Sequence, residues 1–185
     1  MNVLSEQLGI AWSLVKRGSC AAGIDGVTTD LFAGIAQDQI RLLSRQLQRE
    51  TYLADPAKGF LLPKKSGGKR LIGIPTVQDR IVQRFLLQSI YPALENQFSD
   101  SAFAYRPGLS IYSAVERVME RYRYQPTWVI KADIQQFFDC LSWPLLLNQV
   151  EQLDIPALWV QLMALLNKGM NLCWDRHFPK SEVVQ

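Results

Sequence analysis

The spacing of apolar side chains predicts two helices near the N-terminus. Residues 3–17 repeat apolar positions every three or four residues, and the run ends at Gly18. A second run covers residues 31–50, where Asp30 can cap the helix start. Residues 19–29 between them are predicted to form a loop. The side chains expected on the buried faces of the helices are Val3, Leu4, Leu8, Ala11, Trp12, Val15, Leu31, Ile35, Ile40, Leu43 and Leu47.

Two short apolar runs after the second helix predict a β-hairpin. Phe60–Pro63 and Leu71–Pro75 would be its strands, joined across Lys64–Arg70. The hairpin therefore spans about 59–75 and carries basic residues at its tip.

A mixture of helices and short strands is predicted for the rest of the chain. Thr76-Val77-Gln78-Asp79 approximates a capping box, which predicts a long helix over about 77–98. Pro92 should kink or interrupt this helix. The remaining predicted elements are a helix over 111–124 with Ala114, Val118 and Met119 facing inward, helices near 142–152 and 157–167, and short strands near 169–174 and 177–179.

A short apolar run after Pro126 predicts a buried strand that ends in a carboxylate. Val129 and Ile130 are β-branched, and side chains alternate along a strand, so Lys131 and Asp133 would share a face. A carboxylate in apolar surroundings needs a cationic partner. Lys131 or a divalent metal ion would serve, and spacing alone leaves both open.

Composition restricts the class of protein. At 185 residues the chain is one domain or two small ones, with an ordinary globular composition. The N-terminus lacks a basic region followed by an apolar run, and no stretch has the apolar length of a membrane span. The three cysteines are far apart without a Cys-x-x-Cys, which indicates a reducing cytoplasm rather than disulfides or a zinc site.

The positive charge is concentrated in the middle third of the chain. Residues 61–123 hold ten basic and five acidic side chains, whereas residues 1–60 hold six of each. One block without acidic residues contains Lys58, Lys64, Lys65, Lys69 and Arg70. Such a block suits phosphate backbones, and a solvated lysine-rich turn is the alternative interpretation.

Four stretches resemble one protein family in the same order. Trp128–Asp139, an apolar strand ending in Asp and followed by Phe-Phe-Asp, resembles motif A of right-hand polymerases in the form used by group II intron-type bacterial reverse transcriptases. The other stretches are Ala22–Thr28, similar to the N-terminal Gly-Asp-Gly signature; Pro63–Thr76 with Asp79–Gln83, similar to the fingers block; and Phe98–Ser101 with Tyr105–Gly108, similar to the next block.

The resemblance implies an α+β fold built as part of a right-hand polymerase. Residues 1–125 would be the fingers region, with N-terminal helices, the basic β-hairpin and the long helix. Residues 126–185 would be a partial palm that begins an antiparallel sheet with the motif A strand, and the thumb and part of the palm would be absent.

The resemblance also implies a two-metal nucleotidyl transfer site. Asp133 would be a catalytic metal ligand, with the backbone carbonyl of Ile134 a second ligand, and the complete enzyme would hold two Mg²⁺ ions. Phe138 matches the steric gate that excludes a 2′-hydroxyl, whereas Phe137 would be a core aromatic. Asp139 is expected to cap the following helix rather than bind metal.

Basic residues would hold the substrates. Lys64 or Lys65, between which the sequence does not choose, would clamp the triphosphate with Arg70, and Gln185 falls where the family has the Gln of a nucleotide-contacting loop. The candidate nucleic-acid-binding residues are Lys58, Lys69, Arg80, Arg84 and Arg106. For the last three, a surface ion pair with Asp79, Glu95 or Asp100 is an equally good interpretation.

The implied partners are an RNA template, a DNA or RNA primer and dNTPs, with intron RNA or CRISPR-associated proteins as further candidates. No membrane partner is expected, the location would be cytoplasmic, and exposed apolar edges could drive self-association. Since family members carry a Tyr-x-Asp-Asp turn that this sequence lacks, the 185 residues by themselves are expected to be inactive.

Two alternative functions remain open. An RNA-directed RNA polymerase has a similar motif A, although Phe138 argues against it. A non-catalytic module that binds structured RNA, as a maturase does, would use the basic hairpin and the N-terminal helices.

Overall fold

A computed structural model of the protein describes residues 3–64, 67–124, 128–135, 137, 140–153 and 155. The regular elements are α1 (Val3–Val15), α2 (Thr29–Gln48), β1 (Lys58–Pro63), β2 (Lys69–Ile74), α3 (Val77–Glu95), α4 (Ile111–Tyr124) and α5 (Trp143–Glu151). Helices with one antiparallel strand pair confirm the predicted α+β class. The helix predicted near 157–167 and the two strands after it lie outside the described residues.

The chain divides into two compact units. The first contains the residues up to Ile90, and the second runs from Tyr91 to Ile155. The boundary between fingers and palm near residue 125 stays a prediction. No helix among the described residues is long and apolar enough to cross a membrane.

The core of the first unit joins α1, α2 and α3. The ring centroids of Trp12 and Phe32 lie 4.9 Å apart, which fixes α1 against α2. The buried cluster consists of Leu8, Ala11, Phe32, Ile40, Leu43, Leu47, Tyr52, Val77, Ile81, Val82, Phe85 and Leu86. The predicted inward positions are confirmed for most of α1, whereas Val3 is exposed.

The ends of α2 are fixed by local hydrogen bonds. Thr28, not Asp30, is the N-cap, and its hydroxyl accepts a hydrogen bond from the Leu31 backbone N–H. At the C-terminus, Glu50 adopts a left-handed conformation, and the Thr51 N–H donates to the Gln46 carbonyl, as in a Schellman motif. The chain then turns toward the core.

The buried face of α2 differs from the prediction at its first two turns. Leu31 and Ile35 are exposed, whereas Ile40, Leu43 and Leu47 are buried as expected. Phe32 instead faces the core at this end of the helix.

The β-hairpin forms where the sequence predicts it. Lys58 pairs with Ile74 and Pro63 with Lys69 in an antiparallel register. Each strand is a little longer than predicted, because the backbone pairing continues through Lys58 and Lys69 to the ends of the ribbon.

Helix α3 begins at the predicted capping box. The Thr76 hydroxyl accepts a hydrogen bond from the Asp79 backbone N–H, which is the N-cap interaction expected from the sequence. Pro92 lies inside the helix without ending it, and α3 stops at Glu95, three residues before the predicted Phe98.

Helix α4 has the predicted bounds but not the predicted burial. None of its side chains is buried, and Val118 and Met119, expected to face inward, are 60% and 48% exposed. An amphipathic pattern is buried only where another element covers it, and in the described part of this unit no element covers these two side chains.

Candidate functional site

The basic hairpin presents its charged side chains to solvent. Lys58, Lys64, Lys69 and Arg70 are all exposed, as a phosphate-binding surface requires, and Lys65 lies outside the described residues. Paired side chains of an antiparallel ribbon share a face. Lys58, Leu62 and Arg70 therefore lie on one face, whereas Lys69 lies on the other with Leu61.

The hairpin tip depends on two glycines. Gly67 and Gly68 have φ angles of 88° and 80°, a region that favours glycine. The Gly67 N–H donates to the Lys64 carbonyl at 3.1 Å, and the Lys64 N–H donates to the Gly68 carbonyl at 2.9 Å. These bonds hold the backbone on both sides of the tip.

The Gly-Ile-Asp-Gly stretch forms a hydrogen-bonded turn before α2. The Gly26 N–H donates to the Gly23 carbonyl, and the Asp25 carboxylate accepts a hydrogen bond from the Val27 N–H. Gly26 has a φ of 73°, which explains the second glycine. The Asp25 carboxylate thus stabilises the conformation of this loop.

A buried carboxylate organises the first turn of α3. Asp79 accepts hydrogen bonds from the Tyr52 hydroxyl at 2.5 Å and from the Thr76 hydroxyl at 2.6 Å. Burial raises the pKa of Asp79, and these two hydrogen bonds oppose the shift. Burial, with Asp79 nearby, also raises the pKa of the Tyr52 phenol. Sequence reasoning found the Thr76–Asp79 pair but had no local signal for Tyr52.

Arg80 binds the protein's own backbone, a contact that the sequence did not predict. Its guanidinium donates to the Ser19 carbonyl at 2.8 Å and to the Ala21 carbonyl at 2.6 Å. Burial lowers the pKa of Arg80, and the Asp25 charge opposes that shift. The side chain forms no ion pair with Asp79, whose carboxylate is bonded to Tyr52 and Thr76.

The other two arginines differ from each other. Arg84 is exposed on α3, as a nucleic-acid contact requires. Arg106 forms the alternative ion pair: its guanidinium donates to Glu95 at 2.6 Å, and its side chain is 14% exposed. It also donates to the carbonyls of Ser99 and Ala102 and lies over the Phe98 ring. This bond to Glu95 raises the pKa of Arg106, and the Arg106 bond lowers the pKa of Glu95. The role of Arg106 in this structure is to fix a loop.

The motif A stretch is not a buried strand in this structure. Residues 128–134 have no regular secondary structure, and Trp128 and Ile130 are 96% and 90% exposed. A strand needs a neighbour to accept and donate its backbone hydrogen bonds, and the described residues supply none here. Asp133 and Ile134 are exposed, so the carboxylate is open to a ligand.

The metal site implied by the resemblance is only partly represented. The Asp133 carboxylate and the Ile134 carbonyl are oxygen donors, the ligand type that Mg²⁺ prefers. Within the described ranges, however, no three His, Cys, Asp or Glu side chains lie close enough to hold a metal ion. One carboxylate does not make a two-metal centre. The steric-gate residue Phe138, together with Asp139 and Gln185, lies outside the described residues.

A known protein-family model matches most of the chain. Residues 62–185 match the family model described as reverse transcriptase (RNA-dependent DNA polymerase). The protein YkfC of Escherichia coli is 28% identical over 155 residues, which is 82% of this chain and 41% of that protein.

Two further relatives carry names that refer to introns. The group II intron-encoded protein LtrA of Lactococcus lactis is 30% identical over 122 residues, 64% of this chain and 20% of LtrA. Nuclear intron maturase 2 of Arabidopsis thaliana is 39% identical over 62 residues, 34% of this chain and 8% of that protein. The chain thus spans about two fifths or less of the length of these three relatives.

Proposed function

This chain belongs to the reverse transcriptase family, and from that premise we propose that it is of the group II intron type. We propose that it supplies the fingers and part of the palm of an enzyme that adds dNTPs to a primer on an RNA template. The observation that carries the proposal is the family match over residues 62–185, which runs from the basic hairpin through Asp133 and Phe138.

The hairpin is suited to bind the triphosphate of an incoming dNTP. Lys64 and Arg70 are exposed cations near the tip, on a ribbon whose register is fixed by backbone pairing. The planar guanidinium of Arg70 can donate two parallel hydrogen bonds to phosphate oxygens, whereas Lys64 contributes a point charge. Lys65 is the alternative to Lys64.

Asp133 is the proposed acidic residue of the transfer site. Mg²⁺, when bound, would neutralise charge that develops on the transferring phosphate. The Asp133 carboxylate and the Ile134 carbonyl would each contribute one oxygen ligand. A two-metal site needs further carboxylate ligands beside these two oxygen donors.

A primer-extension assay tests the function. In an enzyme that contains these residues, Asp133→Asn should lower the extension rate by at least about a thousandfold, since the lost charge is a metal ligand. Asp38→Asn is the matched control, because Asp38 is exposed on α2 and forms a surface pair with Arg41. Equal activity of the Asp133→Asn variant and the control would reject the assignment.

Phe138 should select dNTPs over NTPs. An aromatic ring below the sugar leaves no space for a 2′-hydroxyl, so Phe138→Ala should admit NTPs. Phe137→Ala is the control, since that ring is assigned no contact with the sugar. Unchanged selectivity of the Phe138→Ala variant would reject the gate. Efficient use of NTPs by the unaltered enzyme would instead favour an RNA-directed RNA polymerase.

The 185-residue chain alone should not extend a primer. Its sequence contains motif A but no Tyr-x-Asp-Asp turn. Primer extension by the purified chain, abolished by Asp133→Asn, would contradict this expectation.

RNA binding without catalysis is the second candidate, favoured by the exposed cations of the hairpin. Phosphate contacts release counterions, so the affinity for RNA should fall steeply as salt rises. Replacing Lys58, Lys69 and Arg84 together with glutamine should reduce the slope of log K against log salt by about two to three. A flat slope for the unaltered chain would exclude RNA binding by these residues.

A further inference from the structure

The loop that contains Gly23 lies directly on the chain between β2 and α3. A Cβ atom added to Gly23 would be 2.6 Å from the Thr76 Cα and 2.7 Å from the Thr76 nitrogen. Both atoms belong to the backbone, so no side chain can rotate to make room. Glycine is needed at this position because the two backbones touch.

Arg80 holds the same loop from the first turn of α3. Its two terminal nitrogens donate to the carbonyls of Ser19 and Ala21, which are 61 and 59 residues away in sequence. A planar guanidinium with two bonds fixes both the position and the orientation of the loop. The Arg80 Nε is buried and has no hydrogen-bond partner among the described residues.

The segment that precedes strand β1 is also bonded to the first turn of α3. Tyr52, six residues before the start of β1, is 3% exposed and donates to Asp79. Strand β2 ends two residues before Thr76, which donates to the same carboxylate. The segment before β1 and the segment after β2 are therefore both attached to residues 76–80. These two segments lie at the end of the hairpin opposite its tip, which we call its root.

We propose that Gly23 and Arg80 form a latch that joins the loop of residues 19–26 to the root of the basic hairpin, and that this latch positions the cations near the hairpin tip. Its effect on nucleotide binding rests on the proposed function, whereas its effect on the hairpin does not. Arg80 is then a positioning residue and makes no contact with the template.

Amide hydrogen exchange on this chain tests the coupling. Arg80→Gln should increase exchange by about tenfold or more in residues 19–26 and in the strands β1 and β2, because the loop no longer supports the root. Exchange in α2 should change little. Arg84→Gln removes the same charge from an exposed position one turn later and should leave the hairpin protected. Faster exchange in the loop with an unchanged hairpin would overturn the proposal.

Two further variants separate the latch from a loss of folding. Arg80→Lys keeps a donor for one carbonyl and should give an intermediate increase in hairpin exchange. Gly23→Ala should reproduce the effect of Arg80→Gln, and the double variant should exceed neither single variant by much, because both break one contact surface. Gly34→Ala, with open space around its Cβ, is the control. Additive effects of Gly23→Ala and Arg80→Gln would contradict a single latch.

The active enzyme provides a readout that general destabilisation would not move. Arg80→Gln should raise KM for dNTPs by about tenfold while kcat changes less, because the clamp is misplaced rather than removed. The salt slope of RNA binding should stay unchanged. A slope reduced by about one would instead indicate that Arg80 contacts a phosphate of the RNA. If the unaltered enzyme extends no primer, the proposed function fails, and the exchange experiment still decides the latch.

Discussion

The two compact units differ in how their apolar side chains are used. In the first unit, α1, α2 and α3 enclose a continuous buried cluster. In the second, no residue from 91 to 155 is buried among those whose side-chain burial the structure describes, although α4 is as clearly amphipathic as α2. A helical pattern therefore predicts the helix itself, whereas burial depends on partner elements. Matched substitutions in the two units should consequently have unequal effects.

The largest contrast should come from two leucines. Leu43 in α2 is 1% exposed, whereas Leu145 in α5 is 65% exposed. Leu43→Ala should lower the free energy of unfolding by about 2–5 kcal/mol through lost burial and a cavity. Leu145→Ala should change it by no more than about 0.5 kcal/mol. Urea unfolding measures both, and equal losses would mean that α5 is packed in solution.

A smaller contrast should separate two tyrosines. Tyr52→Phe leaves the buried Asp79 carboxylate without one of its donors, which should cost about 1–3 kcal/mol of unfolding free energy. Tyr112→Phe on α4 removes an exposed hydroxyl and should be near neutral. Thermal unfolding of the two variants compares them directly. A neutral Tyr52→Phe would show that the Thr76 hydroxyl suffices for Asp79.

The N-caps of α2 and α5 should also contribute unequally to the free energy of unfolding. The Thr28 side chain accepts the Leu31 N–H at the start of α2, whereas Ser142 at the start of α5 makes no side-chain capping bond. Thr28→Ala should therefore reduce the free energy of unfolding by about 1 kcal/mol. Ser142→Ala should leave it unchanged. A loss at Ser142 as large as that at Thr28 would indicate a cap that forms in solution.

The smallest effect should be a pH dependence of opposite sign in the two units. Burial raises the pKa of Asp79. The contribution of this carboxyl group to the free energy of unfolding is therefore present at low pH and is lost as pH rises through the raised pKa. The Arg106 bond lowers the pKa of Glu95, so its contribution is present at higher pH and is lost as pH falls.

Urea unfolding between about pH 3 and pH 7 tests these signs against matched variants. The advantage of the unaltered chain over Asp79→Asn should shrink as pH rises. Its advantage over Glu95→Gln should grow over the same range. The same direction for both pairs would contradict the assignment of at least one carboxylate.

Local sequence signals predicted most of the secondary structure. The bounds of α4 and the position of the hairpin follow from periodicity and turn residues. The cap of α2 was displaced by two residues, because Thr28 and Asp30 are both good capping residues and only the backbone path decides between them. Burial of Val118 and Met119 was wrong, since a periodic pattern does not reveal whether a partner exists.

The candidate site was predicted by motif, but its long-range contacts were not. The exposed basic tip and the exposed Asp133 fit the roles assigned to them, which stay predictions. The backbone contacts of Arg80 are not predictable from the sequence, because Ser19 and Ala21 lie 61 and 59 residues away, beyond any local pattern. Arg106 was predicted with two alternatives, and the ion pair with Glu95 is the one observed.

Because side chains alternate along a strand, Lys69 and Arg70 of β2 lie on opposite faces of the hairpin. Inserting or removing one residue at the Gly67–Gly68 turn would invert β2 relative to β1, so that each cation would exchange sides. The length of this turn, rather than the number of lysines around it, therefore decides which cation a polyanion meets on each face of the hairpin.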